Sequence, residues 1–194
     1  MIGRRGQLAK IRGVHNPRCR HCTLHRSSDH VCIVGRGNPL ANVVLLGEAP
    51  GANEALTGKV FSGQCGRLLN DVLRELQILD KVWITNVVKC RPPHNRNPTD
   101  NEIAKCGRYI IAEMDIIRPR AVLIMGNVAF NALGFSRKDY TRGSCWFHQS
   151  LLFPHGTNMR FGYHPAYCMR CGHNGRRVLR RQLEWVKNWT KDRQ

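Results

Sequence analysis

The sequence predicts an α/β protein, a parallel sheet covered by helices on both faces, and three observations carry that expectation. Continuous Val/Leu/Ile runs, "NVVLLG", "VWITNVV" and "AVLIMG", read as strands buried on both sides rather than as half-exposed, alternating ones. Segments with apolar residues at helical spacing lie between these runs, so strand and helix alternate along the chain. Unusual polar residues, Glu48, the stretch from Asn86 to Cys90, and His164, fall just after the strands, where sheets of this kind gather their ligand sites.

Taken in order, residues 1–16 form a basic N-terminal extension, and the turn-rich stretch after them carries "CRHC" from Cys19 to Cys22. The first strand, Val43 to Leu46, runs into the Gly- and Pro-rich "GEAPG". "GRLLNDVLRELQIL" places Leu68, Leu69, Val72, Leu73 and Leu76 on one helical face. The second strand holds one asparagine, Asn86, inside its apolar run and ends at Cys90 before Arg-Pro-Pro; a buried Asn is uncommon because its amide must be paired. "TDNEIAKCGRYIIAEMDIIRP" opens with a Thr/Asp cap and an acidic first turn and closes at Pro119. "AVLIMG" is the third strand, followed by the short helical "NVAFNALG"; the stretch from Ser144 to Tyr163 holds the last strand. "GRRVLRRQLEWVKNW" is a basic helix whose apolar side is Val178, Leu179, Leu183, Val186 and Trp189. No repeat or low-complexity linker divides the chain, so a single domain over 1–194 is expected.

The 31 Lys and Arg residues against 13 Asp and Glu leave a net charge of +18, which points to a polyanionic partner, nucleic acid first. No long apolar segment or aromatic-rich amphipathic helix supports a membrane partner, and a monomer is expected. No apolar stretch follows the basic start, so no signal peptide is read and a cytoplasmic protein is expected. In a reducing compartment nine cysteines are unlike a disulfide framework, and metal or cluster ligation is the better reading for some. Cys19 and Cys22 with the distant Cys90 and Cys106 suit a four-thiolate iron–sulfur cluster, and on spacing alone they suit zinc equally well. A second C-x-x-C pair, Cys168 and Cys171, could complete a zinc site with the first, whereas Cys32, Cys65 and Cys145 stand isolated.

Together "CRHCTLH", "GEAPG", "VFSGQCGRLL", "TNVVKCRPPHNRNP" and "HPAY", in that order from about Pro17 onward, resemble the family 4 uracil-DNA glycosylases, the iron–sulfur branch of that superfamily. The resemblance implies a three-layer α/β/α fold around a central four-stranded parallel sheet, and a structural [4Fe–4S] cluster on Cys19, Cys22, Cys90 and Cys106. It implies a DNA repair enzyme that flips uracil out of single- or double-stranded DNA and hydrolyses its N-glycosidic bond, leaving an abasic site. Asn86 matches the uracil-reading asparagine, Phe61 the aromatic on which the base stacks, and His164 the donor to uracil O2 as charge gathers there. Glu48 matches the position that orients water or faces the oxocarbenium ion, with Gly47 and Ala49 beside it in the base-binding loop and Glu54 as a second acidic candidate. No lysine is placed to form a Schiff base, so water is the expected nucleophile. Tyr167, Met169 and Arg170 match the loop that enters the duplex, and Arg91 and Arg96 are expected on phosphates.

Val60, Ser62, Cys65 and Ala55 depart from the family pattern near the expected pocket wall, which leaves hypoxanthine or xanthine open as substrate. Two rival readings are a covalently trapping relative acting through His94, though the basic insert of that branch is missing, and a non-catalytic DNA-binding module built on zinc thiolates. The zinc module accounts for the charge and the cysteines but leaves Glu48, Phe61, Asn86 and His164 unexplained.

Overall fold

Val43, Val44, Leu45 and Leu46 have no solvent exposure, as a strand covered on both faces requires. In the computed structural model, which describes residues 3–135, 145–147 and 157–191, these residues form β2 (Val43–Gly47). It pairs in parallel with β3 (Val82–Asn86) on one side and β4 (Ala121–Met125) on the other, and β4 pairs in parallel with β6 (Asn158–Gly162). The expected four parallel strands are present, but the sheet has six: β1 (Arg36–Gly37) and β5 (Cys145–Phe147) add antiparallel edges, giving the order β1-β3-β2-β4-β6-β5. Strands of two and three residues are too short to show any periodicity. The rest of the expected last-strand region, Ser144 and residues 148–156, lies outside the described residues.

Alternate residues of each strand feed two cores. Val43, Leu45, Ile84 and Leu123 pack under α3 (Gln64–Glu75) and α7 (Gly172–Trp189), where Leu69, Val72, Leu73, Leu179, Leu183 and Val186 are fully buried. Each such side chain contributes about 1.5–3 kcal/mol relative to remaining exposed. Val44, Leu46, Trp83, Val122 and Ile124 face α4 (Asp100–Ile117) and α5 (Asn127–Ala132), with Ile110, Met114 and Phe130. The basic start is not an extension. It is α1 (Arg4–Val14), and its Ile11 enters this second core with no exposure. On α7 the expected Val178 is exposed and Gln182 is buried in its place, because the Gln182 carboxamide accepts from Tyr163 N and donates to Tyr163 O at the end of β6.

Two shorter helices, α2 (Ala52–Thr57) and α6 (Pro165–Arg170), sit at the strand ends. Helix α4 begins with a capping box in which Thr99 Oγ1 accepts from Glu102 N and Glu102 Oε2 accepts from Thr99 N at 2.8 Å. Among the described residues no helix is long and apolar enough to cross a membrane.

Beneath the sheet lies a fully buried ion pair, Lys89 Nζ to Glu113 Oε1 at 3.0 Å. Lys89 also donates to Thr85 Oγ1 at 2.6 Å, and His15 Nε2 lies 2.9 Å from the same carboxylate oxygen. Burial pushes the Glu113 carboxyl up, but Lys89 and His15 outweigh it and hold it down at about 2. Its charge therefore contributes stability above the ordinary carboxylate range, and that contribution is lost as pH falls toward 2. Glu113→Ala strands the Lys89 charge and should cost about 3–5 kcal/mol in urea unfolding at neutral pH. Glu113→Gln should flatten the acid limb of the stability profile. An unchanged limb would show that the pair does not carry the acid sensitivity.

Candidate active site

Strands β2 and β3 end in register, Gly47 opposite Asn86. The pairing continues beyond them, with Val87 N donating to Gly47 O at 2.9 Å and Val88 N to Glu48 O at 3.0 Å. The two exit loops therefore leave the sheet side by side. A Cβ on Gly47 would stand 2.5 Å from Asn86 Oδ1 and 2.7 Å from Phe61 Cζ, so only glycine lets that ring and that carboxamide meet over the strand end. Phe61 takes a left-handed φ of 51°, and a Cβ on Gly66 would lie 1.8 Å from its carbonyl oxygen, so the first turn of α3 sits directly on the Phe61 backbone. Arg36 fixes the preceding carbonyl, donating from Nε to Val60 O at 2.8 Å. His164 caps α6 from the end of β6, with its ring centroid 5.9 Å from that of Phe61.

Phe61, Asn86 and His164 line a cavity of about 1470 Å³, which Glu48, Ala49, Tyr167 and Arg170 also reach and which Gly47 does not. Asn86 is 2% exposed, and its Oδ1 is buried without a hydrogen-bond partner among the described residues. His164 Nδ1 accepts from Ala166 N at 3.2 Å, which leaves the ring proton on Nε2. Burial, and then the charge of Arg170, push this histidine down to about 4, so near neutral pH it is an uncharged donor. Burial raises the Glu48 carboxyl above its ordinary value. Glu54 also lines the cavity, and both its oxygens are engaged: Oε2 accepts from Gly51 N at 3.1 Å and Oε1 from Gly63 N at 2.8 Å, clamping the loop before α2 to the loop before α3.

The expected DNA contacts divide. Tyr167 stacks on Tyr163 at 4.8 Å and lines the cavity with Arg170, whereas Met169 is exposed outside the lining. Arg91 Nε donates to Asn95 Oδ1 at 2.8 Å. Arg96, expected on phosphates, lines the cavity, and both its terminal nitrogens donate to Glu102, at 2.8 and 2.7 Å, tying the Pro-rich loop to α4. His94 is exposed and does not line the cavity. Of the four departures from the family pattern, Cys65 alone lines it.

Cys19, Cys90 and Cys106 pack into one buried cluster with Leu24, Val88 and Tyr109, and Cys22 packs against it. Cys32, expected to be isolated, belongs to the same cluster, and its backbone N donates to Cys90 Sγ at 3.3 Å. Lys89 N donates to Cys106 Sγ at 3.2 Å. Cys168 is buried in the other core, under α7, and Cys171 is exposed, so the second C-x-x-C pair does not join the first. The Cys145 side chain lies outside the described residues. Among those residues no group of three or more His, Cys, Asp or Glu side chains is arranged to hold a single metal ion. Sequence reasoning could not find Cys32, whose partners are near it only in space.

A cavity at the carboxyl ends of parallel strands, walled by an aromatic ring and an unpaired carboxamide, places the protein among α/β proteins that bind a flat ring with hydrogen-bonding edges. The chain belongs to the Uracil DNA glycosylase superfamily, whose family model matches residues 34–187. It is 35% identical over 194 aligned residues to the type-4 uracil-DNA glycosylase of Thermotoga maritima, covering 96% of this chain and 97% of that protein. The type-4 enzyme of Archaeoglobus fulgidus is 43% identical over 57% of this chain and 56% of its own. That of Sulfurisphaera tokodaii is 34% identical over 87% and 79% respectively.

The Glu54 clamp is open to test. Glu54→Ala removes the acceptor of two backbone N–H groups and should cost about 2 kcal/mol in urea unfolding. Amide exchange at Gly51 and Gly63 should accelerate with it. Unchanged exchange at both would remove the clamp.

Proposed function

We propose that the protein is a monofunctional uracil-DNA glycosylase that draws the base out of DNA, hydrolyses its N-glycosidic bond with water and leaves an abasic site. The observation that carries this reading is the buried, unpaired Oδ1 of Asn86 beside the Phe61 ring. Uracil presents N3–H next to O4, and one carboxamide meets both, Oδ1 accepting from N3 and Nδ2 donating to O4. Cytosine reverses that pattern. Phe61 gives the ring a stacking face, and Gly47 and Ala49 leave room for it. The Nε2–H of His164 faces O2, where negative charge gathers as the bond breaks; a neutral donor in a desolvated site serves that charge well. Glu48 orients the attacking water and faces the cationic sugar. Tyr167 and Arg170 in the cavity lining, with Arg91 in the Pro-rich loop, hold single- or double-stranded DNA through its backbone. The names of the relatives, type-4 uracil-DNA glycosylases, support the same reading.

We assign Cys19, Cys22, Cys90 and Cys106 to a structural [4Fe–4S] cluster. The donor set fits: the thiols share one apolar nest, and two of the sulfurs accept backbone N–H groups, as cluster thiolates do. Each thiolate of such a cluster binds a different iron, so the set need not close on a single ion. When bound, the cluster supplies a rigid cross-link between the N-terminal segment, the Pro-rich loop and α4, and no redox step is assigned to it.

Uracil release from a labelled single-uracil oligonucleotide tests the enzyme. The wild type should release the base, His164→Ala should lose about 10²–10³-fold in kcat, and Asn86→Ala should lose discrimination against cytosine. Inosine cleavage without uracil release would replace the substrate. For the cluster, anaerobically purified protein should be brown with about four irons per chain, and Cys90→Ala should lose them. Colourless protein holding zinc would overturn the assignment.

A further inference from the structure

Strand β6 and helix α7 enclose a second cavity, about 570 Å³, which shares Tyr163 with the first. Arg160, Arg177 and Arg181 line it. The Arg160 guanidinium stands over the Trp185 ring, 5.6 Å from its centroid, and its Nε is buried with no hydrogen-bond partner among the described residues. Arg177 and Arg181 are exposed one turn apart on the same helix, and neither meets a carboxylate among the described residues. Their neighbours differ: Arg176 pairs with Glu75, and Arg180 with Glu75 and Glu184.

Like charges one turn apart repel, and a buried guanidinium nitrogen without an acceptor is unfavourable. Both defects are relieved by the same thing, an anion with several acceptor oxygens seated in the groove. Guanidinium forks match phosphate oxygens, and stacking on Trp185 holds the Arg160 fork in place before any ligand arrives.

We propose that the groove formed by Arg160, Arg177 and Arg181 is a second phosphate track, which grips the DNA backbone as it runs past Tyr163 away from the flipped nucleotide. The proposal rests on the reading that the first cavity takes its base from DNA. Asn174, Arg180 and Glu184 also line the groove, the Glu184 carboxylate being held by Arg180, and the guanidinium groups of Arg160, Arg177 and Arg181 suit backbone phosphates rather than base edges. A concave site with one exposed aliphatic residue, Val178, lacks the protruding apolar anchors of a membrane-binding helix.

The test uses the full chain and the double variant Arg177→Gln/Arg181→Gln, both on exposed positions, with Arg160→Gln alongside. Fluorescence anisotropy on a uracil-free duplex of about 20 base pairs, between about 50 and 200 mM salt, gives affinity and its salt slope. The double variant should bind roughly tenfold more weakly, with a slope shallower by about 2, one unit per lost phosphate contact. KM for uracil in a long duplex should rise with kcat held. Unchanged affinity and slope would overturn the groove. So would loss of binding to vesicles of anionic phospholipid with DNA binding intact, which would make the surface a membrane contact. If the wild type releases no uracil but the slope still falls, the groove stands and the enzymatic reading fails.

Discussion

The buried pair between Lys89 and Glu113 fixes the short segment that serves two purposes at once. From Asn86 to Cys90 every residue is held. Val87 and Val88 continue the pairing with β2, Lys89 O accepts from Ile33 N at 2.8 Å, Lys89 N donates to Cys106 Sγ, and Cys90 Sγ accepts from Cys32 N. The Lys89 side chain passes to the far face of the sheet and is tied there to α4 through Glu113. A carboxamide at one end of so constrained a segment cannot swing to satisfy itself. Such rigidity keeps the Asn86 Oδ1 without a partner among the described residues. The thiol nest at the other end closes over the same backbone, so pocket and cysteines share one support.

The pocket is prepared by burial as much as by contacts. His164 is neutral because burial disfavours its charge, and its tautomer follows from a single backbone donor, Ala166 N, at the start of α6. The position of that helix depends in turn on Gln182, whose amide closes both backbone groups of Tyr163 immediately before the histidine. A polar residue on the buried side of α7 thus reaches the site through one residue of backbone. Replacing it with the leucine that helical periodicity favours would leave Tyr163 N and O without these partners.

Legibility followed the range of the interactions. Continuous apolar runs revealed the parallel strands, and Asn86 stood out because it interrupts one of them. Where the partner is fixed by the tertiary path of the chain rather than by a local pattern, the sequence misled or stayed silent. Ile11 looked like part of a basic extension because a single buried residue leaves no periodic trace in so polar a segment. Cys32 looked isolated because its neighbours in the nest come from three other segments. The tie from Arg96 to Glu102 left no trace in the sequence because Glu102 comes back toward it only after the chain has turned into α4. Glu54 offered a carboxylate in a promising loop, and nothing local showed that both its oxygens were committed to backbone. Phe61 became legible only through the family pattern, since its left-handed backbone is held by the close approach of Gly66 within the motif and by Arg36 from outside it.

The two C-x-x-C pairs show why spacing alone could not assign them. Around Cys19 and Cys22 the chain is a loop and a short 3-10 turn, free to fold its thiols toward Cys90 and Cys106. Cys168 and Cys171 sit where α6 meets α7, and there the requirement is closeness of backbone. A Cβ on Gly175 would lie 1.8 Å from the Cys168 carbonyl oxygen, so the two helices touch main chain to main chain. With no room for bulk, a small buried residue at position 168 is explained by packing, as Cys168 is fully buried among Leu179 and Leu183. The same spacing therefore carries its thiols into a shared nest where the backbone is open and serves packing where it is closed, and only the contacts distinguish the two.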